Sequence, residues 1–157
     1  MTLKTFKSYT KSTRGTVLVE RKNIWKGKPL KSLSFGQTST GGRNNLGRIT
    51  SRHRGAGHKQ KYRLIDFYRK KDDIEATIER IEYDPNRSSY VALIKYNDNQ
   101  MSYIIAPNGI KKGDKIISGR NKEIKIGNCM PLSDIPAGTN IHNIELSANG
   151  GAKLARS

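Results

Sequence analysis

One cysteine, one tryptophan, five prolines and no long apolar run close off several classes of protein before any motif is read. A lone Cys129 cannot form an internal disulfide, so the fold must hold without one, and a reducing compartment is expected. No stretch approaches the roughly 20 apolar residues of a membrane-spanning helix. No amphipathic helix accompanies the charge, and the N-terminus lacks the apolar segment of a secretion signal. Glycine-rich nucleotide loops opening a helix are missing, as is a phosphate loop ending in Lys-Ser or Lys-Thr. His53, His58, Cys129 and His142 match no zinc spacing, and the first two sit among cations that would repel a metal. No nucleophile has a neighbouring base, and Glu79, Glu82 and Asp84 lie where Arg80 and Arg87 can pair with them, as on a charge-balanced barrel face. The chain is therefore read as a non-enzyme with no cofactor.

Acid is the other scarcity, and it is local. The chain carries 30 Lys and Arg against 13 Asp and Glu, a formal net charge of +17. Residues 1–63 hold 16 of those cations against Glu20 alone, net +15, whereas residues 64–157 hold 14 against 12 acids, net +2. A charge this one-sided points to nucleic acid or an anionic membrane. With no membrane segment, nucleic acid is the partner that remains.

The excess is densest in Gly41–Arg63, GGRNNLGRITSRHRGAGHKQKYR, which has no acid and only Leu46, Ile49, Ala56 and Tyr62 as apolar residues. Such a segment cannot bury enough apolar surface to offset its own ordering entropy, so it is expected to order only against an anionic partner. Gly41, Gly42, Gly47, Gly55 and Gly57 are expected to let its backbone lie close to that partner. Arg43, Arg48, Arg52, Arg54, Lys59, Lys61 and Arg63 supply charge every few residues, mostly as the planar fork that suits phosphate. Asn44, Asn45, His53, His58 and Tyr62 are suited to base edges, stacking and 2′-hydroxyls. The rival reading is a solvated basic linker. In residues 1–36, Thr16–Glu20 is a short strand candidate, and Trp25 either stacks on a base or anchors the arm on protein.

From Arg63 the pattern becomes strands and turns. Leu64–Tyr68, Ile74–Tyr83, Tyr90–Tyr96, Met101–Ala106, Lys115–Ser118 and Glu123–Ile126 read as strands. The apolar face switches within Ile74–Tyr83, which predicts a bulge or a strong bend near Glu79 and Arg80. Asp84-Pro85-Asn86-Arg87 is turn chemistry, expected to hold Arg87 rigidly on the barrel rim. The fold class is all-β: an extended basic arm (1–62), a five-stranded Greek-key barrel of the oligonucleotide-binding type (63–127), and the first strands of a second, incomplete barrel (128–157) including Ile141–Leu146.

Gly41-Gly42-Arg43-Asn44-Asn45, Gly47-Arg48-Ile49-Thr50, His53-Arg54-Gly55 and Gly57-His58-Lys59 resemble the arm of the universal large-subunit ribosomal protein L-two family. Tyr62-Arg63, Asp66-Phe67, the run from Glu79 through Glu82-Tyr83-Asp84-Pro85-Asn86 to Arg87, Tyr103-Ile104, Ala106-Pro107, Gly113-Asp114 and Leu154–Ser157 match in the same order, from Lys26 onward most clearly. The resemblance implies a structural protein bound to large-subunit ribosomal RNA near the peptidyl-transferase centre, beside other large-subunit proteins, with the second barrel of the Src-homology-three type. Arg69, Lys70, Arg80, Asn86, Arg87 and Arg156 are also expected to contact RNA. The family's long basic tail has no counterpart here, so the tail's functions are not carried over. The expectation is the N-terminal half of a split protein completed by a second polypeptide, with a fragment as the rival. A mitochondrial ribosome is favoured, with the bacterial cytoplasm and the plastid as alternatives. Rivals in function are a free single-strand-binding or translation-factor-like barrel and an enzyme accessory subunit.

Overall fold

The computed structural model describes residues 3–22, 24–55 and 57–156. Its centre is one antiparallel sheet built from β5 (Ala76–Glu82), β6 (Val91–Tyr96), β7 (Met101–Ile105) and β8 (Lys115–Ile116), in the order β7-β6-β5-β8. Three consecutive strands joined by short turns, with a fourth returning beside the first, make a Greek key. The fold is all-β, curled in the manner of an oligonucleotide-binding barrel. Among the described residues this sheet has no fifth full strand: Ile65 adds only a single bridge to Tyr103 at the β7 edge.

Both faces of this sheet are covered, which is why the central strand β6 is buried along almost its whole length. On one face Ala76, Ile78, Ala92, Ile94, Tyr96, Ile104, Ile110 and Ile116 form the larger core cluster. On the other, Val91, Leu93 and Tyr103 pack against Leu30 and Leu33 of the arm and against Ile65. The register of β5 on β6 shifts between Ile78 and Arg80, the bulge that the face switch predicts. Before it Ile78 stands opposite Ile94; after it Ile81 takes the core side and Arg80 and Glu82 turn toward the arm. Glu79, the extra residue, is exposed.

Several expected strands are shorter than read, each for a local reason. The Leu64–Tyr68 strand is replaced by β4 (Lys61–Arg63) and a turn, because Asp66 Oδ1 accepts from the Tyr68 and Arg69 amides and bends the chain. Arg69 is then left at φ +50. Glu123–Ile126 is not a strand. Ser118 bridges Cys129 instead, the Asn128 carboxamide ties Glu123 O to the Ile117 amide, and Ile124 and Ile126 stay exposed. Ile141–Leu146 contracts to β9 (Ile144–Glu145), paired with β10 (Ala152–Leu154), because Asn143 at φ +55 interrupts extended backbone. In the arm, β1 (Leu3–Thr5) pairs with β2 (Val17–Val19), the core of the Thr16–Glu20 candidate, around a four-residue helical turn, α1 (Lys11–Arg14). Farther along, β3 (Ser34–Gly36) pairs with β4. No helix among the described residues is long and apolar enough to cross a membrane.

What joins arm to barrel is a buried ionic cluster. Glu82 and Asp84 are 1% and 0% exposed, so they lie inside the molecule and not on the balanced surface that the sequence suggests. Glu82 accepts from Arg80 Nε at 2.8 Å, Arg63 Nε at 3.1 Å and the Tyr103 hydroxyl at 2.8 Å. Tyr103 in turn accepts from the Leu30 amide at 2.9 Å. Asp84 accepts from Arg87 Nε at 2.6 Å and from both nitrogens of Asn86 at 3.1 Å, with Arg63 3.6 Å away. Buried carboxylates are tolerated only with this degree of satisfaction, and removing one partner is costly. Burial above all, with the Glu82 carboxylate adding and the Leu30 amide opposing, holds the Tyr103 phenol above its usual value.

Tyr103→Phe is expected to lower unfolding stability by about 1–3 kcal/mol, since it strips a donor from buried Glu82 and an acceptor from Leu30. The fold holds the Tyr103 proton more tightly than the unfolded chain does. Its contribution is therefore complete below the unfolded phenol value of about 10 and is lost as pH rises through the folded value. Denaturant melts from pH 7 to 11 should show an alkaline loss of stability in the parent that is reduced in Tyr103→Phe.

Candidate nucleic-acid interface

The basic arm is held to the barrel at its base and left open beyond. Trp25 donates its amide to Ile81 O at 2.8 Å and bridges Glu82, so its backbone anchors on β5. Its indole is half-exposed, with the Arg80 guanidinium 4.8 Å from the ring. The Leu64 amide reaches Leu33 O, and Asn86 Nδ2 donates to Lys61 O at 2.9 Å, tying the Asp84–Arg87 turn to β4.

Gly41–Ser51 folds back on itself into a tight loop. Asn44 Oδ1 accepts from the Leu46 and Arg48 amides at 3.0 and 2.9 Å, and Asn44 N meets Arg48 O at 3.0 Å. Gly42 O accepts from the Thr50 and Ser51 amides and from Thr50 Oγ1. Gly42 has φ +70, and a Cβ there would lie 2.2 Å from Ser51 O, so its glycine is demanded by the loop itself. Gly47, Gly55 and Gly57 differ, because a Cβ on each would meet open space. The loop carries Arg43, Asn45 and Arg48 outward and exposes Leu46 and Ile49 at 74% and 63%. Arg52, His53 and Arg54 follow at its base, then His58, Lys59 and Lys61, all exposed. Together with the segment Gln37–Gly42 after β3, residues Arg54, Gly55, Gly57, His58 and Gln60 border an open groove. Among the described residues, none of the arm cations from Lys26 to Lys61 has a carboxylate partner.

The other expected contacts are placed differently. Arg63 is buried on Glu82. Arg80 and Arg87 are largely buried on Glu82 and Asp84, and the guanidinium of Arg87 also lies 5.8 Å from the Tyr62 ring. Asn86 holds its own turn. Arg69 donates to Ser118 Oγ and Gly127 O, bracing the chain after β8. Lys70 lies over Tyr68, and Arg156 over Phe67. The sequence therefore groups two kinds of arginine that the structure separates, those on buried carboxylates and those facing solvent. Reading by residue type missed Phe35, which stands directly opposite Tyr62 and is 49% exposed. An isolated aromatic between serine and glycine in a basic stretch was the available signal.

Among the described residues no group of His, Cys, Asp and Glu is placed to hold a metal ion. Comparison with known proteins finds two matching family models. Residues 30–118 match "Ribosomal Proteins L2, RNA binding N-terminal domain", and residues 125–157 match "Ribosomal Proteins L2, C-terminal domain". Proteins named large ribosomal subunit protein uL2 are similar along the whole chain: 62% identical in Pelagibacter ubique, 60% in Granulibacter bethesdensis and 57% in Rickettsia canadensis. The chain spans 56%, 57% and 58% of the length of these relatives.

Gly42→Ala is expected to open the loop while sparing the barrel. Exchange protection at the Thr50 and Ser51 amides should fall at least about tenfold, the equivalent of about 1.4 kcal/mol of local strain. Gly47→Ala, strained but unobstructed, should lose less, and the barrel melting temperature should hold in both.

Proposed function

Because the chain belongs to the family of ribosomal proteins L2, we propose that it is an RNA-binding structural component of the large ribosomal subunit. That family is structural and not enzymatic. The observation that carries the reading is the exposed, carboxylate-free cationic surface from Arg43 to Lys61, set on a barrel whose buried acids, Glu82 and Asp84, are neutralised from within. Phosphate contacts fix position and register without reading sequence, and this arm is built to make them. Arg43, Arg48, Arg52, Arg54, Lys59 and Lys61 meet phosphates, Asn45, His53 and His58 meet base edges and 2′-hydroxyls, and the open positions at Gly47, Gly55 and Gly57 admit the RNA backbone. The ribosomal RNA around the peptidyl-transferase region is the proposed seat, with neighbouring large-subunit proteins beside it.

The relatives named above are bacterial, which supports a bacterial-type ribosome; the mitochondrial location expected with the split-protein reading gains no support from them. No further strand flanks the β9–β10 pair among the described residues; its Ala152 amide donates to Phe67 O, and Ile141, Leu146 and Leu154 are exposed. Further strands laid against that pair, from a second polypeptide, would cover them.

The arm binds by releasing counterions, so affinity for ribosomal RNA should fall steeply with salt. Replacing Arg48, Arg52 and Arg54 together by Gln should flatten the slope of log K against log[salt] by about 0.7–0.9 for each phosphate that is no longer neutralised. The barrel's melting temperature should not change. Co-sedimentation of the protein with large subunits through a high-salt gradient tests the assignment itself, and a protein that stays at the top of that gradient removes it.

A further inference from the structure

Strands β3 and β4 have two unlike faces. Arg63 points inward to Glu82, whereas Phe35 and Tyr62, directly opposite each other, point outward with ring centroids 5.3 Å apart and planes tilted by 45°. A free pair of aromatics at a strand surface would turn and adapt, but this one is fixed from below. The Arg87 guanidinium beside Tyr62 is itself held by Asp84, and Asn86 holds the β4 backbone through Lys61 O. Tyr62 thus neighbours both Arg87 and Phe35, and the half-exposed ring is that of Phe35. The next pair along, Gly36 and the exposed Lys61, is on the opposite face of the ribbon, and a Cβ on Gly36 would meet open space. The nearest acids, Glu82 and Asp84, are buried and neutralised.

We propose that the Phe35–Tyr62 pair is a stacking platform for one unpaired nucleobase of the bound RNA. The inference rests on the RNA-binding reading and assigns this surface a distinct class of ligand, a base splayed out of a helix. A duplex presents phosphates and groove edges while its base faces are covered, so a paired segment cannot use the ring. A splayed base offers a flat face to Phe35, and its phosphate enters the field of the exposed, carboxylate-free arm around the platform. An apolar protein side chain fits the ring but gains nothing from the cationic rim, and charge complementarity therefore favours the nucleotide.

The test compares the full chain with Phe35→Leu, which keeps apolar bulk and removes the ring, and with Phe35→Tyr, which keeps it. The probes are a single-stranded adenine-rich RNA carrying 2-aminopurine and a fully paired RNA hairpin, at fixed salt. Stacking of a base on an aromatic residue contributes about 1–3 kcal/mol, or about 5- to 150-fold in affinity. Phe35→Leu should lose affinity for the single strand in that range and lose the 2-aminopurine quenching, while hairpin affinity and melting temperature stay constant. Phe35→Tyr should restore both. Equal losses on both RNAs, or no loss on either, overturn the platform, the second outcome being that of a surface covered by protein. If the parent protein binds neither RNA, the RNA-binding reading fails first. If it binds both with a steep salt slope and Phe35→Leu leaves both affinities and the quenching unchanged, only the platform fails.

Discussion

Two carboxylates with almost no contact with water, Glu82 and Asp84, are the constraint on which the arm's geometry depends. Left unpaired, such groups cost several kcal/mol, and the chain meets that demand with Arg63, Arg80, Arg87 and the Tyr103 hydroxyl. The donors come from both sides of the junction: Arg63 from the end of the arm, Arg80 from β5 and Tyr103 from β7. Arm and barrel therefore share one electrostatic solution. The apolar contacts of Leu30 and Leu33 on Val91 and Leu93 reinforce it from the same side of the sheet.

This arrangement sorts the cations. Those that satisfy the buried acids are part of the fold and unavailable elsewhere, and those from Arg43 to Lys61 have no acid within reach among the described residues. The two groups follow each other along one chain, yet they face opposite environments. A protein that must keep a strongly basic surface without letting it collapse onto its own carboxylates does well to neutralise those carboxylates first. Self-repulsion along the arm is the cost, and it is removed when an anion arrives.

Much of this was legible in the residues. The charge split at Arg63, the all-β class, the turn at Asp84–Arg87 and the bulge at Glu79 all follow from composition and period, and the family motifs follow from the order of short words along the chain. Burial of ions was not legible. Nothing local distinguishes Glu82 from Glu79, and only the partners supplied by Arg63 and Tyr103, far away in sequence, decide which is inside. Strand length was overread for a related reason: Asp66 and Asn143 end extended backbone through turn geometry that an apolar pattern does not reveal. The role of Asn44, expected on RNA, lies at least partly in closing its own loop through the amides of Leu46 and Arg48.

The extra residue in β5 has a consequence for how this chain can vary. Upstream of Glu79, β5 directs Ala76 and Ile78 to the main core. Downstream, the same parity would have sent Arg80 and Glu82 into that core, and the inserted residue sends Ile81 instead. It acts as a half-period phase shifter, converting one strand into two reading frames, apolar on one side and ionic on the other. Loops elsewhere can gain or lose a residue at little cost. Here a single deletion would exchange the greasy face for the charged one, so the spacing between Ile78 and Glu82 is fixed as tightly as their identities.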